Sequence, residues 1–418
     1  MNLVLDSVAA EAWRRRPAPQ RAEFLVRIGE VLRARQAALA GIIASEIGKP
    51  PAEATGEVQE AIDMAYYMAG EGRRCFGQTV PSELPDKWAM SIREPVGLVA
   101  VITAWNFPVA VPSWKIFPAL VLGNTVVWKP SEHAERCAAA LAQTFADAGL
   151  PAGVLQVLTG DGAVGEWLVR HPAVRMASFT GSRANGRKVA VACAELEKRC
   201  ALELGGKNAV IVLEDADLDL AADGIIWSAF GTSGQRCTSC SRVIVHRTVR
   251  TALTEKLVRR ARAVVVDPRA AQRCEPFVQE AIAAGARRLT TGATLLDNVT
   301  PQMRIAQEEL FGPVCVILEV GSLEEAVAVN NDVPYGLSSS IYTRDVNRAF
   351  RAMRELSCGI VYVNAGTTGS EVQLPFGGVR ATGNGWREAG QAALDTFSEW
   401  KTIYVDYSGR LQRAQMDR

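Results

Sequence analysis

The chain has 418 residues, 48% of them hydrophobic and 22% charged, with 46 Lys and Arg against 45 Asp and Glu for a formal charge of +1. This length and texture describe two or three globular domains around a large buried core and exclude a mostly disordered chain, and the near-zero charge gives no reason to expect nucleic acid or an anionic membrane as partner. Three scattered histidines, His133, His171 and His246, argue against a metal centre, and nine dispersed cysteines suit a cytoplasmic protein rather than a secreted disulfide framework.

In the first sixteen residues the basic cluster follows the apolar stretch, the wrong order for a signal peptide. Residues 7–47 read as helices, with Leu25, Ile28, Leu32, Leu39 and Ile43 at helical spacing. A further helix, Ala52–Arg74, follows the Lys49-Pro50-Pro51 break. Gln78–Arg93, interrupted by Pro81 and Pro85, reads as a hairpin arm. Val96–Trp128 carries Lys115 as its only charge, but Pro108, Pro112 and Pro118 divide it into pieces too short to cross a bilayer.

From Gly97 the texture changes. Strand-like runs (Val99–Ile102, Thr125–Trp128, Leu155–Leu158, Met176–Phe179, Ala209–Leu213) alternate with helical ones (Pro112–Leu122, Ala134–Ala148, Gly162–Arg170, Asn185–Cys193), which implies a parallel sheet covered by helices. After Asp215 the pattern restarts with helices around Asp219–Ser233, Val249–Val264 and Val278–Ala286, then from Leu323. The accompanying strands are Ser241–Val245, Val314–Glu319, Ser338–Tyr342 and Gly359–Asn364. Thr396–Tyr407 is a tail strand free to join a sheet edge. The expected fold is α/β, with two parallel-sheet, Rossmann-like domains and a small β arm.

Chemistry concentrates in a few places. Gly234-Gln235-Arg236-Cys237-Thr238 sets a cysteine after a glycine turn; a reactive thiolate needs a site that lowers its pKa. Cys237 also opens a Cys-x-x-Cys with Cys240, so a redox pair and half of a zinc site compete with the nucleophile reading; the absence of a second such pair weakens zinc. Glu203, inside Leu202-Glu203-Leu204-Gly205-Gly206-Lys207, reads as a carboxylate on a buried turn, desolvated toward a general base, or as an ordinary surface Glu at an element end. Asn106, in Trp105-Asn106-Phe107-Pro108 directly after a strand, is placed to donate to an oxyanion, or is a turn Asn before a proline. Phe179-Thr180-Gly181-Ser182 joins a strand to a helix whose N-terminus suits a pyrophosphate, and Lys129-Pro130-Ser131-Glu132 offers a cation and a carboxylate to ribose hydroxyls.

Taken in order with Glu308-Glu309-Leu310-Phe311-Gly312-Pro313 and Pro375-Phe376-Gly377-Gly378, these blocks resemble the NAD(P)-dependent aldehyde dehydrogenase superfamily from about Glu11 to the tail. The resemblance implies Cys237 as nucleophile, Glu203 as general base 34 residues earlier and Asn106 as oxyanion donor beside the Cys237 N–H. For the cofactor it implies Lys129 and Glu132 at the adenosine ribose, Gly181, Ser182 and Gly186 at the pyrophosphate, and Glu309 and Phe311 at the nicotinamide side. Trp105, Ser131, Gly162 and Leu204 complete the cofactor contacts, and Lys115 with Glu388 resembles a secondary proton relay. The implied domains are 1–77 with 96–205 for NAD, 206–395 for catalysis, and 78–95 with 396–418 as an oligomerisation arm and tail joining a homodimer or homotetramer.

The activity implied is oxidation of an aldehyde, a small semialdehyde, through a cysteine thiohemiacetal and thioester. A base at Glu203 argues against the CoA-acylating branch. Glu132 favours NAD, its carboxylate repelling the 2′-phosphate of NADP. Arg236 has two expected uses, pairing with a substrate carboxylate or supporting the catalytic turn. Compared with the family, the chain lacks an initial strand pair and a segment after Val266-Asp267-Pro268. The alternative reading is an inactive homologue kept for binding or structure, and a further one makes Cys240 a resolving partner for Cys237.

Overall fold

The computed structural model describes residues 7–417; Met1–Asp6 and Arg418, at the ends of the expected domains, lie outside the described residues. Four helices come first: α1 (Ser7–Arg15), α2 (Ala18–Ala34), α3 (Gln36–Ile47) and α4 (Pro51–Glu71). Gly48 ends α3 in the left-handed conformation at φ 79°, and Pro51 opens α4, where its missing N–H costs nothing. Lys49 therefore stands at a sharp corner between two helices.

The arm follows as β1 (Gln78–Pro81) and β2 (Lys87–Pro95). Five strands then form one sheet: β3 (Leu98–Ile102), β4 (Thr125–Lys129), β5 (Leu155–Val157), β6 (Met176–Thr180) and β7 (Arg199–Glu203), parallel and ordered β5-β4-β3-β6-β7. Its crossover helices are α5 (Ala110–Leu122), α6 (Glu135–Asp147), α7 (Gly162–Arg170) and α8 (Arg183–Glu195). Apart from Val111, α5 is buried along its whole length, which explains why its sequence is apolar on every face and resembles a membrane segment. Among the described residues no helix is long and apolar enough to cross a membrane.

Only four residues, 204–207, separate β7 from the next sheet. That sheet holds β8 (Asn208–Val212), β9 (Cys240–His246), β10 (Arg287–Arg288), β11 (Thr294–Asp297), β12 (Val314–Val320), β13 (Ser338–Tyr342) and β14 (Ile360–Val363), ordered β10-β11-β12-β9-β8-β13-β14. The strands β12-β9-β8-β13-β14 repeat the 3-2-1-4-5 winding of the first sheet. Helices α9 (Leu218–Phe230), α10 (Arg250–Ala261), α11 (Pro268–Ala283), α12 (Arg304–Gln307), α13 (Leu323–Asn331) and α14 (Val346–Glu355) cover it. After α15 (Ala392–Thr396), β15 (Ser398–Asp406) pairs antiparallel with β2 and completes a three-stranded arm, β1-β2-β15.

Several expectations change. Ala209–Leu213, read as the last strand of the first series, is β8, an interior strand of the second sheet. The helix expected from Val278 begins ten residues earlier, at Pro268, capped by the Asp267 carboxylate. Residues 199–203 form a strand that the polar run Arg199-Cys200 concealed, and α14 is a helix the alternation did not reveal. On either side of the expected boundary at 395/396, Ala389, Ala393, Leu394 and Phe397 all lie in the core of the first sheet and the N-terminal helices.

Candidate active site

The two sheets meet where the carboxyl ends of β3 and β7 face the amino ends of β8 and β9. Asn106 lies on the loop from β3 to α5, Glu203 is the last residue of β7, and Cys237 sits three residues before β9. Asn106 is buried, and its amide donates to the Gln235 carbonyl at 2.9 Å, two residues before the cysteine. Asn208 fixes the cysteine from below, donating to the carbonyls of Cys237 at 2.7 Å and Ser239 at 2.9 Å while accepting the Ser338 N–H. The turn into Cys237 is left-handed at Thr232, Ser233 and Gly234 (φ 48°, 54° and 70°), a conformation non-glycine residues hold only under external restraint.

Cys237 is half-buried. Burial, followed by the carboxylates of Glu203, Glu309 and Glu388, pushes its thiol up rather than down. The expected lowering is therefore reversed. Glu203 is buried and raised well above the usual carboxylate range, first by desolvation and then by Glu388. Its Oε2 is buried without any hydrogen-bond partner, an open acceptor in a site where such orphans are rare. Gly377, at φ +145°, leaves room for the carboxylate: a Cβ there would come within 2.5 Å of Glu203 Oε1. Of its two expected settings, Glu203 takes the buried one, on a strand end rather than a turn.

Lys115 and Glu388 form a buried ion pair, with Lys115 Nζ also 3.1 Å from Ser178 Oγ. Arg236 is engaged by Glu53 at 2.6 Å and Thr232 at 3.1 Å, the supporting role among its two expected uses. Cys240 is buried in the second core, its thiol donating to the Arg242 carbonyl at 3.3 Å and lying against Cys315. That environment gives no support to Cys240 as a resolving partner.

Toward the first sheet, Lys129 at the end of β4 is buried and lies 3.3 Å from the exposed carboxylate of Glu132. Ser131 Oγ accepts the His133 N–H at 3.3 Å, and Gly162 opens α7 behind the Asp161 cap. Ser182 caps α8, and Gly181 donates to the Glu203 carbonyl at 3.2 Å. Leu204 packs so closely on α8 that a Cβ at Gly186 would fall 2.4 Å from its Cδ2. Across the crevice, Glu309 accepts the Gly206 N–H at 3.1 Å, burial raising its carboxyl to about 7, and Phe311 meets Trp105 edge-on at 6.1 Å. The N-terminus of α8, the exposed Glu132 and the facing Glu309 fit an extended dinucleotide laid across the carboxyl edge of a doubly wound sheet.

Sequence reading missed Asn208, Gln235, Glu57 and Lys49, all buried, and the partly buried Glu53, polar groups around the two loops. Only the acidic pair at i and i+4 in Ala52–Arg74 offered a signal, and such pairs usually face solvent.

The aldehyde dehydrogenase family profile matches residues 6–403. The chain is 40% identical over 428 residues to the alpha-ketoglutaric semialdehyde dehydrogenase of Bacillus subtilis (strain 168), spanning 95% of this chain and 88% of that protein. Its structure superposes on the NAD-dependent aldehyde dehydrogenase from Sinorhizobium meliloti with TM-score 0.93 at 35% identity, covering 98% and 86% of the two chains. It superposes equally on an NADP-dependent enzyme from E. coli, with TM-score 0.92 at 35% identity over 96% and 88%. With this fold and these matches, the chain belongs to the aldehyde dehydrogenase family and is an oxidoreductase acting on aldehydes.

Proposed function

We propose that the protein oxidises a small semialdehyde to its carboxylic acid with NAD, using Cys237 as nucleophile, Asn106 as oxyanion donor and Glu203 as general base. The observation that carries this reading is the orphan Glu203 oxygen buried in the same crevice as the Cys237 thiol. The deprotonated Cys237 sulfur forms a bond to the aldehyde carbon, and the carbonyl electron pair moves onto oxygen. The second N–H of the Asn106 amide and the Cys237 backbone N–H stabilise that oxyanion. NAD, when bound, supplies the acceptor for the hydride that leaves this carbon. The thioester left on Cys237 is hydrolysed when Glu203 takes a proton from water; the new C–O bond forms, the C–S bond breaks, and acid departs.

Lys129, Ser131 and Glu132 would hold the adenosine ribose, Gly162, Gly181, Ser182 and Gly186 the pyrophosphate, and Trp105, Leu204, Glu309 and Phe311 the nicotinamide end. NAD is favoured over NADP because Glu132 is held below the usual carboxylate range, by a hydrogen bond from its own backbone N–H and by Lys129, and so is anionic at neutral pH. The semialdehyde reading is supported by the name of the Bacillus relative. The scattered cysteines favour a cytoplasmic setting, and the exposed edge of β15 favours a homo-oligomer. The test is NADH formation across a panel of aldehydes and semialdehydes with both cofactors, with Cys237→Ser as the control. Equal rates for the control would refute the reading.

A further inference from the structure

Glu53 and Glu57, one helical turn apart on α4, reach two different loops of the site. Glu57 is fully buried. One of its oxygens accepts the backbone N–H of Val109 at 2.8 Å and of Ala110 at 3.3 Å, filling the open first turn of α5. The other pairs with Lys49, whose Nζ stands 3.5 Å from the centroid of the Phe107 ring. The segment immediately after Asn106, from Phe107 to Ala110, is thereby held by the α3–α4 corner.

Glu53 holds the other loop. Its Oε2 accepts from Arg236 at 2.6 Å and from the Thr232 hydroxyl, bracketing the left-handed turn that leads into Cys237. Arg236 also lies over Phe107, 5.7 Å from the ring centroid, so the two attachments meet on one side chain.

The two loops come from different sheets, Asn106 after β3 and Cys237 before β9, and neither sheet alone fixes their separation. Positions i and i+4 stack on one face of a rigid helix. A buried ion pair seldom adds net stability over apolar packing, so Lys49 and Glu57 are poorly explained as core filling. We infer that Glu53 and Glu57 are positioning residues: one face of α4 sets the spacing between the oxyanion donor and the nucleophile. The inference rests on the roles proposed above for Asn106 and Cys237.

The test uses the full chain and two readouts: single-turnover NADH formation, and alkylation of Cys237 by iodoacetamide, a displacement that forms no oxyanion. The variants are Glu53→Gln and the apolar pair Lys49→Met/Glu57→Leu, which strands no buried charge. NADH formation is expected to fall about tenfold or more in each, while alkylation changes by less than about twofold. In an Asn106→Ala background the extra loss should shrink to under about twofold, since the route it acts through is gone. Alkylation falling in step with turnover, or an undiminished loss in that background, would overturn the positioning role. Normal turnover by Asn106→Ala alone would instead overturn the parent reading, and the inference with it.

Discussion

The side-chain amide of Asn106 and the carbonyl of Gln235 stand 2.9 Å apart, so a loop of the first sheet is hydrogen-bonded to the loop that carries Cys237 in the second. An Asn amide has two N–H groups; Gln235 occupies one and restricts the rotation of the other. The donor is therefore set before substrate arrives. Asn106→Ala is expected to lower kcat about 100- to 1,000-fold, the cost of losing one such donor. Cofactor affinity, measured by fluorescence titration, should stay as it was.

The pH dependence follows from Glu203 and Cys237. Burial and the neighbouring Glu388 raise the Glu203 carboxyl, and burial with three carboxylates raises the Cys237 thiol. Both groups act deprotonated, so activity grows as pH rises and is lost as pH falls through the raised Glu203 value, well above the range of an exposed carboxylate. Glu203→Gln should still form about one NADH per site in a rapid burst and then stall, because acylation survives and hydrolysis does not. A steady-state rate close to that of the parent chain would remove Glu203 from the mechanism.

Glu309 gives a second, separable pH effect. Desolvation brings its carboxyl to about 7. In the role proposed for Glu309, protonation removes a charged acceptor for the nicotinamide ribose hydroxyls, so NAD binding should weaken as pH falls through that value. Titrations one unit either side of it test this, and Glu309→Gln should bind weakly with no such dependence.

Strand–helix alternation made both sheets legible, because parallel strands buried on two faces are continuous apolar runs. It failed at Arg199–Glu203, where an edge strand begins with Arg and Cys, and at Val346–Glu355, where Val346 and Phe350 are exposed and obscure the usual buried stripe. The residues proposed to carry the chemistry were singled out by their motifs. What supports them was not: Asn208 and Glu57 act through backbone groups far along the chain, and a single sequence carries no mark of such pairings. The sign of the Cys237 shift was also hidden, since it depends first on burial and then on three carboxylates brought together only by folding.

The proposed preference for NAD turns on Glu132. Its side chain is 44% exposed and lies against Lys129, so a 2′-phosphate placed there meets one anion and one cation. Removing the anion leaves Lys129 to attract the phosphate. Glu132→Gln is expected to raise kcat/KM for NADP and to lower it for NAD, through lost hydroxyl hydrogen bonds worth about 1.5–3 kcal/mol to a charged acceptor. No change in the ratio of the two would place the 2′ position away from Glu132.

The arm leaves an edge that calls for a partner. β15 is an outer strand of its sheet and presents Trp400, Tyr404 and Val405, each about half exposed or more, interleaved with the exposed charges of Glu399, Lys401 and Asp406, and an open edge of this length is a ready template for a further strand. β14 is likewise the open edge of the seven-stranded sheet, so a second copy has a strand to offer in return. Lysines at both Tyr404 and Val405 blunt the edge and leave the β2 pairing and both sheets untouched. Analytical ultracentrifugation of this double variant is expected to show a monomer where the parent chain shows a dimer or tetramer, with an unchanged circular dichroism spectrum. If the parent chain itself sediments as a monomer, the exposed edge serves some other contact and the arm is not an assembly element.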